Sequence, residues 1–311
     1  MAANASLQEF ENSERRLFDK FGLSVESHFL ELENPPLRAR VIEVGSGEPV
    51  VLVHGGGGVA ALWAPLMAEL KDVRLLAVDR PGCGMTDGFN YRGVDVRRHA
   101  VQFLDGVLDA LNLDSAPFIA NSMGGLWTFW LALDKPGRVS AIAQLGCPAL
   151  ILDTSAPFPM RLLSVRGLNQ IMSAMEPPSQ SQAKRILKRM GHSEEGVERL
   201  PVEVIECFFR AGKLQNYKTG WLTLLERVLG LGGAASDLSL SEEELGRIRQ
   251  PVSFVWGDSD PFGAPEVGRL AVNSMPNATL EVIPGGHLPW LDDAAACGQA
   301  TMKFLKTHSL A

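Results

Sequence analysis

The sequence predicts an α/β protein: a mostly parallel twisted sheet, with helices on both faces and a helical cap inserted into it. Three observations carry that expectation. From residue 49 there are six short, continuous runs of β-type apolar residues; helix-period segments follow them; and the alternation stops for about 100 residues between the fourth run and the fifth. Continuous apolar runs are what parallel strands buried on both faces require.

The six runs are residues 50–53, 73–78, 118–120, 139–145, 252–256 and 279–283. Ahead of them, residues 25–32 and 37–44 alternate polar and apolar around Asn34, Pro35 and Pro36, which reads as an antiparallel hairpin. Residues 6–21 place Leu7, Phe10, Leu17 and Phe18 among charges, the pattern of a short amphipathic helix packed on the body. Between the second and third runs, Val101, Leu104, Leu108 and Leu111 share one helix face suited to covering the sheet. The long interruption is far beyond an ordinary αβ connection of roughly 2–6 residues. It is helical in period and broken at Pro177, Pro178, Gly191, Pro201 and Gly230 to Gly233, so four or five short helices forming a lid are expected. The division that follows is a core of 1–150 with 246–311, and a cap of 151–245.

Hydrophobic residues make up 46% of the 311 and charged residues 21%, which supports a large buried core and argues against disorder. The net charge of -7, from 36 acidic and 29 basic side chains without a Lys/Arg run, argues against nucleic acid as a partner. Cys83, Cys147, Cys207 and Cys297 have no metal-type spacing and are too few for a disulfide scaffold, so neither a metal nor bridges are expected. No basic start followed by an apolar run opens the sequence, and no stretch reaches the roughly 18 apolar residues of a membrane span. A cytoplasmic protein acting on a small molecule, without a membrane partner and with a homodimer as an allowed assembly, is the expectation.

Ser122 stands in FIANSMGG, residues 118–125, directly after a strand run and directly before a helix. A strand-to-helix turn this tight needs small residues two before and two after the serine, and Ala120 and Gly124 occupy those places. Ala120 stands where the G-x-S-x-G pattern has glycine, one methyl more. The rival reading is a plain helix N-cap. A serine hydroxyl is a poor nucleophile until a base takes its proton, so a histidine must be supplied from elsewhere. His287 is the best placed, in the glycine-rich loop IPGGHLPW after the last strand run. His28, His99, His192 and His308 sit in strand, helix or lid contexts that suit surface or packing roles. The base needs a carboxylate to fix its tautomer, and WGDSDPF offers Asp258 and Asp260. Asp260, farther into the loop, is the choice; Asp258 is better suited to bonding the turn's own backbone. His54 opens HGGGG, residues 54–58, whose unshielded backbone N–H groups can stabilise an oxyanion together with the N–H of Met123. The run lacks the lysine of a phosphate-binding loop, and His54 itself reads as structural.

In the order Ser, Asp, His after a glycine-rich loop, the chain resembles the α/β-hydrolase superfamily from about residue 25 to its end. DRPGCGMT, residues 79–86, looks like a loop of its capped members, and the lid insertion sits where their cap does. The resemblance implies the α/β-hydrolase fold, a serine hydrolase without a cofactor, and Gly56 as the first oxyanion donor, with Gly57 as the alternative. Branches of this fold that carry aspartate at the nucleophile position are set aside by Ser122. C–C hydrolases of aromatic-ring degradation usually have tryptophan after the histidine, where this chain has Leu288, so a carboxylic ester hydrolase ranks first and a C–C hydrolase second. A non-catalytic receptor on the same fold is the third reading. The expected pocket walls are Gly57, Trp127, Trp221, Phe262 and Leu288, with Met172 and Phe208; Arg161, Arg166 and Arg210 are lid cations able to meet a substrate carboxylate, though surface roles suit them better.

Overall fold

A computed structural model describes residues 2–309. Helix α1 (Ala2–Lys20) leads into the hairpin of β1 (Val25–Glu33) and β2 (Pro36–Val44). The core then runs through β3 (Glu48–Val53), α2 (Ala64–Met67), β4 (Val73–Val78), α3 (Val96–Ala110), β5 (Ala116–Asn121), α4 (Met123–Asp134) and β6 (Val139–Leu145). The insertion carries α5 (Phe158–Leu162), α6 (Leu168–Met175), α7 (Gln180–Arg189), α8 (Glu194–Arg199), α9 (Val202–Ala211), α10 (Gln215–Val228), the two-residue strands β7 (Leu229–Gly230) and β8 (Gly233–Ala234), and α11 (Glu242–Leu245). The core closes with β9 (Val252–Gly257), α12 (Pro265–Ser274), β10 (Ala278–Ile283), α13 (Pro289–Asp292) and α14 (Ala294–His308).

The eight main strands form one sheet in the order β1-β2-β4-β3-β5-β6-β9-β10. β1, β2 and β4 pair antiparallel, and every pairing from β4 through to β10 is parallel. Alternation along the strands feeds two cores. Val51 and Val53 of β3, with Leu76 and Val78 of β4, face the layer of α3 and α4. Val50, Leu52, Leu75 and Ala77 face the opposite layer. β10 departs from the expectation of full burial, because an edge strand has one neighbour; Leu280 is half-buried and Val282 is 38% exposed.

The chain order reverses at β3, flanked by β4 on one side and β5 on the other. In open parallel sheets this is where the carboxyl ends of strands diverge into a crevice. The glycine run follows β3, Ser122 follows β5, Asp260 follows β9 and His287 follows β10.

Six helices lie between residues 158 and 228, more than the four or five expected. The divisions not foreseen fall at Gly167, whose φ of +87 lies between α5 and α6, and at residues 212–214, between α9 and α10. The two ends of the insertion meet, with Leu240 N–H donating to Leu150 O and Leu152 N–H to Leu240 O. Helix α1 spans two layers. Phe10 and Leu17 are fully buried, Glu14 pairs with Arg40 of β2 at 2.8 Å, and Arg16 reaches Glu206 of α9 at 2.7 Å.

Candidate active site

Ser122 sits at φ 50° and ψ -117°, a conformation L-residues avoid. What forces it is the close approach of α4 to the end of β3: a Cβ on Gly124 would stand 2.1 Å from the Val53 carbonyl oxygen. The Ser122 side chain makes no capping hydrogen bond to α4, which removes the plain N-cap reading. Ala120 is fully buried within β5, its extra methyl absorbed.

His287 Nδ1 lies 2.8 Å from Asp260 Oδ2, and both side chains are shielded from water. The proton therefore belongs on Nδ1, leaving the Nε2 lone pair free to act as a base. Asp260 Oδ2 also accepts the Cys147 N–H at 2.8 Å, and Oδ1 accepts the Phe262 N–H at 2.9 Å. Three donors fix the carboxylate. Asp258 instead accepts the Gly285 N–H at 3.1 Å and the Ser259 hydroxyl at 3.0 Å, bracing the turn beneath the histidine loop. Asn121, beside the serine, donates through Nδ2 to the His287 carbonyl at 3.0 Å, tying the elbow to that loop.

In the glycine run, the Gly56 N–H has no acceptor among the described residues. Met123, the first residue of α4, has an N–H with no intrahelical partner by position. His54 accepts the Arg80 backbone N–H on Nε2 at 3.0 Å and bonds Gly55 O through Nδ1 at 2.8 Å, so it is a neutral structural pin. Burial, and then the Arg80 charge, hold its pKa well below the ordinary value. The buried thiols are no rival nucleophiles: burial pushes Cys83 up to about 11 and Cys147 well above its ordinary value.

Ser122, Met123, His287 and residues 54–58 open onto one cavity of about 540 Å³. Gly57, Trp221, Phe262, Leu288, Met172 and Phe208 line it. The Phe262 ring lies 4.1 Å from the His287 ring, tilted 31° to it. Trp127 does not line it. Its ring is fully buried between α4 and α3, edge-on to His99 and Phe103 of α3 and to Tyr91, with the Arg80 guanidinium 4.9 Å from its centroid, so this face of α4 points into the core and not into the cavity. Arg161, Arg166 and Arg210 are also absent from the lining; Arg210 pairs with Glu9 and Glu206 instead. The charged lining residues are Glu176, Arg189 and Lys218, with Arg189 and Lys218 exposed.

Several contributors escaped the sequence reading. Trp63 and Trp290 stack at 4.1 Å in the cavity wall, and Tyr217 of α10 donates its hydroxyl to Gly57 O at 3.3 Å. Tyr217 and Trp221 are four apart on one helix, a spacing that could have paired them.

A family profile described as alpha/beta hydrolase matches residues 50–300, and the chain belongs to that family. It is a hydrolase. Among curated relatives, it is 28% identical over 281 residues to a 2-hydroxy-6-oxo-6-phenylhexa-2,4-dienoate hydrolase of Burkholderia cepacia, covering 86% of this chain and 91% of that one. Its structure is similar to the carboxylesterase CesB of Bacillus subtilis, with a TM-score of 0.77 at 18% identity over 97% of this chain and 98% of that one. It is also similar to the meta-cleavage product hydrolase CumD of Pseudomonas fluorescens IP01, with a TM-score of 0.73 at 18% identity over 90% and 97%. No helix among the described residues is long and apolar enough to cross a membrane.

Proposed function

We propose that the chain is a serine hydrolase that cleaves a carboxylic ester, lactone or thioester of a small to medium apolar substrate in the cytoplasm, without a cofactor. The observation that carries the ester reading is the cavity wall. It is mostly glycine, tryptophan, leucine, methionine and phenylalanine, with Asn121, Ser155, Glu176, Gln182 and Tyr217 among its polar members, and among the described residues the cations that line it, Arg189 and Lys218, are exposed. An apolar acyl group fits such a wall, whereas a substrate carboxylate would meet no buried cation there.

In this mechanism Ser122 Oγ attacks the acyl carbon as His287 Nε2 takes its proton, and Asp260 stabilises the imidazolium. The N–H groups of Gly56 and Met123 hold the oxyanion, each donor typically worth about 3 kcal/mol. The tetrahedral intermediate collapses, His287 protonates the leaving alcohol, and water repeats the cycle on the acyl-enzyme. The second reading, hydrolysis of a C–C bond in a dienoate, is favoured by the curated relatives. Leu288, in the place after the histidine, weighs against it.

The test is turnover by purified protein. Nitrophenyl esters of short and medium acids are expected to be hydrolysed, a fluorophosphonate probe to label Ser122, and Ser122→Ala to lose on the order of 10⁶ in kcat. Faster consumption of a 2-hydroxy-6-oxo-dienoate than of any ester would transfer the assignment to C–C hydrolysis. Neither activity nor labelling would leave a small-molecule receptor.

A further inference from the structure

Met190, Gly191 and His192 form the turn at the end of α7, and this turn of the helical insertion is wedged between the loops that carry Asp260 and His287. The Met190 carbonyl accepts the His287 backbone N–H at 2.8 Å, while Asn121 holds the carbonyl of the same residue at 3.0 Å. The histidine's main chain is thus gripped once from the elbow and once from the insertion. Gly191, at φ +88°, has no room for a side chain: a Cβ would stand 2.1 Å from Ser259 O, in the acid loop. A third contact is a second histidine–aspartate pair. His192 Nδ1 lies 2.7 Å from Asp292 Oδ2, and the same oxygen accepts the Gly286 N–H at 2.9 Å. The His192 side chain is 1% exposed and that of Asp292 15%, so the hydrogen bond is sheltered from the histidine side while the carboxylate keeps an edge in water.

We propose that His192 is a positioning residue for His287: through Asp292 it locks the insertion's turn onto the histidine loop, so that the base is aligned with Ser122 only while the insertion is seated. This rests on the hydrolase reading, in which His287 takes the serine proton. Lifting the turn strips the His287 N–H of its acceptor and uncovers Gly286, which lies against the Met190 carbonyl and the His192 N–H and, as a glycine, holds a loop poorly by itself. Seating of the insertion and alignment of the base become a single event, which ties catalysis to the part of the chain that walls the substrate.

His192 does not line the cavity, so its loss acts on kcat rather than on binding. His192→Ala is expected to lower kcat about 10- to 100-fold, with KM for a nitrophenyl ester within about threefold, since a displacement near 1 Å costs about that much. His192→Asn places an amide N–H where Nδ1 stood and restores most of the rate. Asp292→Ala matches His192→Ala, and the double variant is no slower than either. Should His192→Ala not fold, Asp292→Ala and His192→Asn carry the same comparison. An active wild type whose His192→Ala and Asp292→Ala variants melt earlier but keep kcat overturns the proposal. If the wild type has neither turnover nor probe labelling, the hydrolase reading fails separately. Proton NMR then decides: the His287 Nδ1–H signal shared with Asp260 broadens in His192→Ala and returns in His192→Asn, and an unchanged signal in His192→Ala overturns the positioning role.

Discussion

Arg80 donates from Nη2 to the Gly55 carbonyl oxygen at 2.8 Å, holding the glycine run from beneath with a fully buried guanidinium. Its Nε donates to the His54 carbonyl at 3.0 Å, and among the described residues it forms no ion pair. A buried guanidinium that spends two of its nitrogens on backbone carbonyls, with Nη1 left without a partner among the described residues, fixes those carbonyls in return. The N–H of Gly56 belongs to the same peptide as the Gly55 carbonyl, so Arg80, with His54 Nδ1 and the Gly58 N–H on the same oxygen, sets the orientation of the peptide that would face an oxyanion.

Arg80→Met should therefore lower kcat about 10- to 100-fold while leaving the triad residues in place. It should also lower the melting temperature by several degrees, because the His54 carbonyl loses its donor and an unmatched buried group costs about 1–3 kcal/mol. Arg80→Lys, with one ammonium for two carbonyls, should fall between. Steady-state kinetics on a nitrophenyl ester and thermal melts check both; a kcat within twofold of wild type in Arg80→Met would separate Arg80 from the oxyanion loop.

The two aspartates of the β9 loop should part company. Asp260→Asn presents an amide to His287 Nδ1 and favours the wrong tautomer, so kcat is expected to fall about 10⁴-fold with little change in fold. Asp258→Asn keeps an acceptor for the Gly285 N–H and should cost less than about 1 kcal/mol of stability and less than tenfold in kcat. Rates from the two variants, with urea melts beside them, decide the assignment, and the reverse ranking moves the orienting acid to Asp258.

What the sequence carried was local. Ser122, Asp260 and His287 each stand in a turn whose small residues and flanking strand can be read along the chain, and the ends of parallel strands gather them at one crevice. Long-range partners left no such trace. Met190 meets His287 through a carbonyl, a group every residue has, and Arg80 bonds the backbone of residues 26 and 25 positions away. Trp127 shows the same limit from the other side: position five after the serine puts it near the elbow in sequence, but helix rotation decides between cavity and core, and it went to the core. Asp258 and Asp260 were separable because turn chemistry acts within a few residues.

Gly56 and Trp221 form a contact that single substitutions can dissect. A Cβ on Gly56 would stand 2.6 Å from the Trp221 ring, far inside contact distance. Gly56→Ala should push the loop or the indole aside at a cost of about 1–3 kcal/mol and lower kcat/KM at least tenfold. Trp221→Ala removes the obstacle, so Gly56→Ala made in that background should cost much less than in wild type. Kinetics of the four proteins of this cycle check it. Independent, additive effects would mean that the indole does not set the loop's position.

Glu14 should make stability fall as pH rises through neutrality. It is buried beside Arg40, and Arg40 also faces Asp79 at 3.4 Å, so two carboxylates compete for one guanidinium. Burial, opposed by Arg40 and reinforced by Asp79 and Glu11, lifts the Glu14 pKa from 4.5 to about 7. The folded state therefore holds this proton more tightly than the unfolded chain. The resulting stabilisation is fully present below about pH 4.5 and is lost as pH climbs through about 7, a swing on the order of 3 kcal/mol. Glu14→Gln keeps an oxygen for Arg40 but cannot ionise. Urea unfolding of both proteins between about pH 5 and pH 8 should give similar stabilities at the acid end and a more stable variant at the alkaline end. Parallel pH profiles would show that Glu14 ionises in the folded protein as readily as in the unfolded chain. Because α1 also holds Arg16 against Glu206 of the helical insertion, the same experiment followed by tryptophan fluorescence, with Trp221→Phe subtracted to isolate that one of the six indoles, reports whether loosening α1 is felt at the cavity.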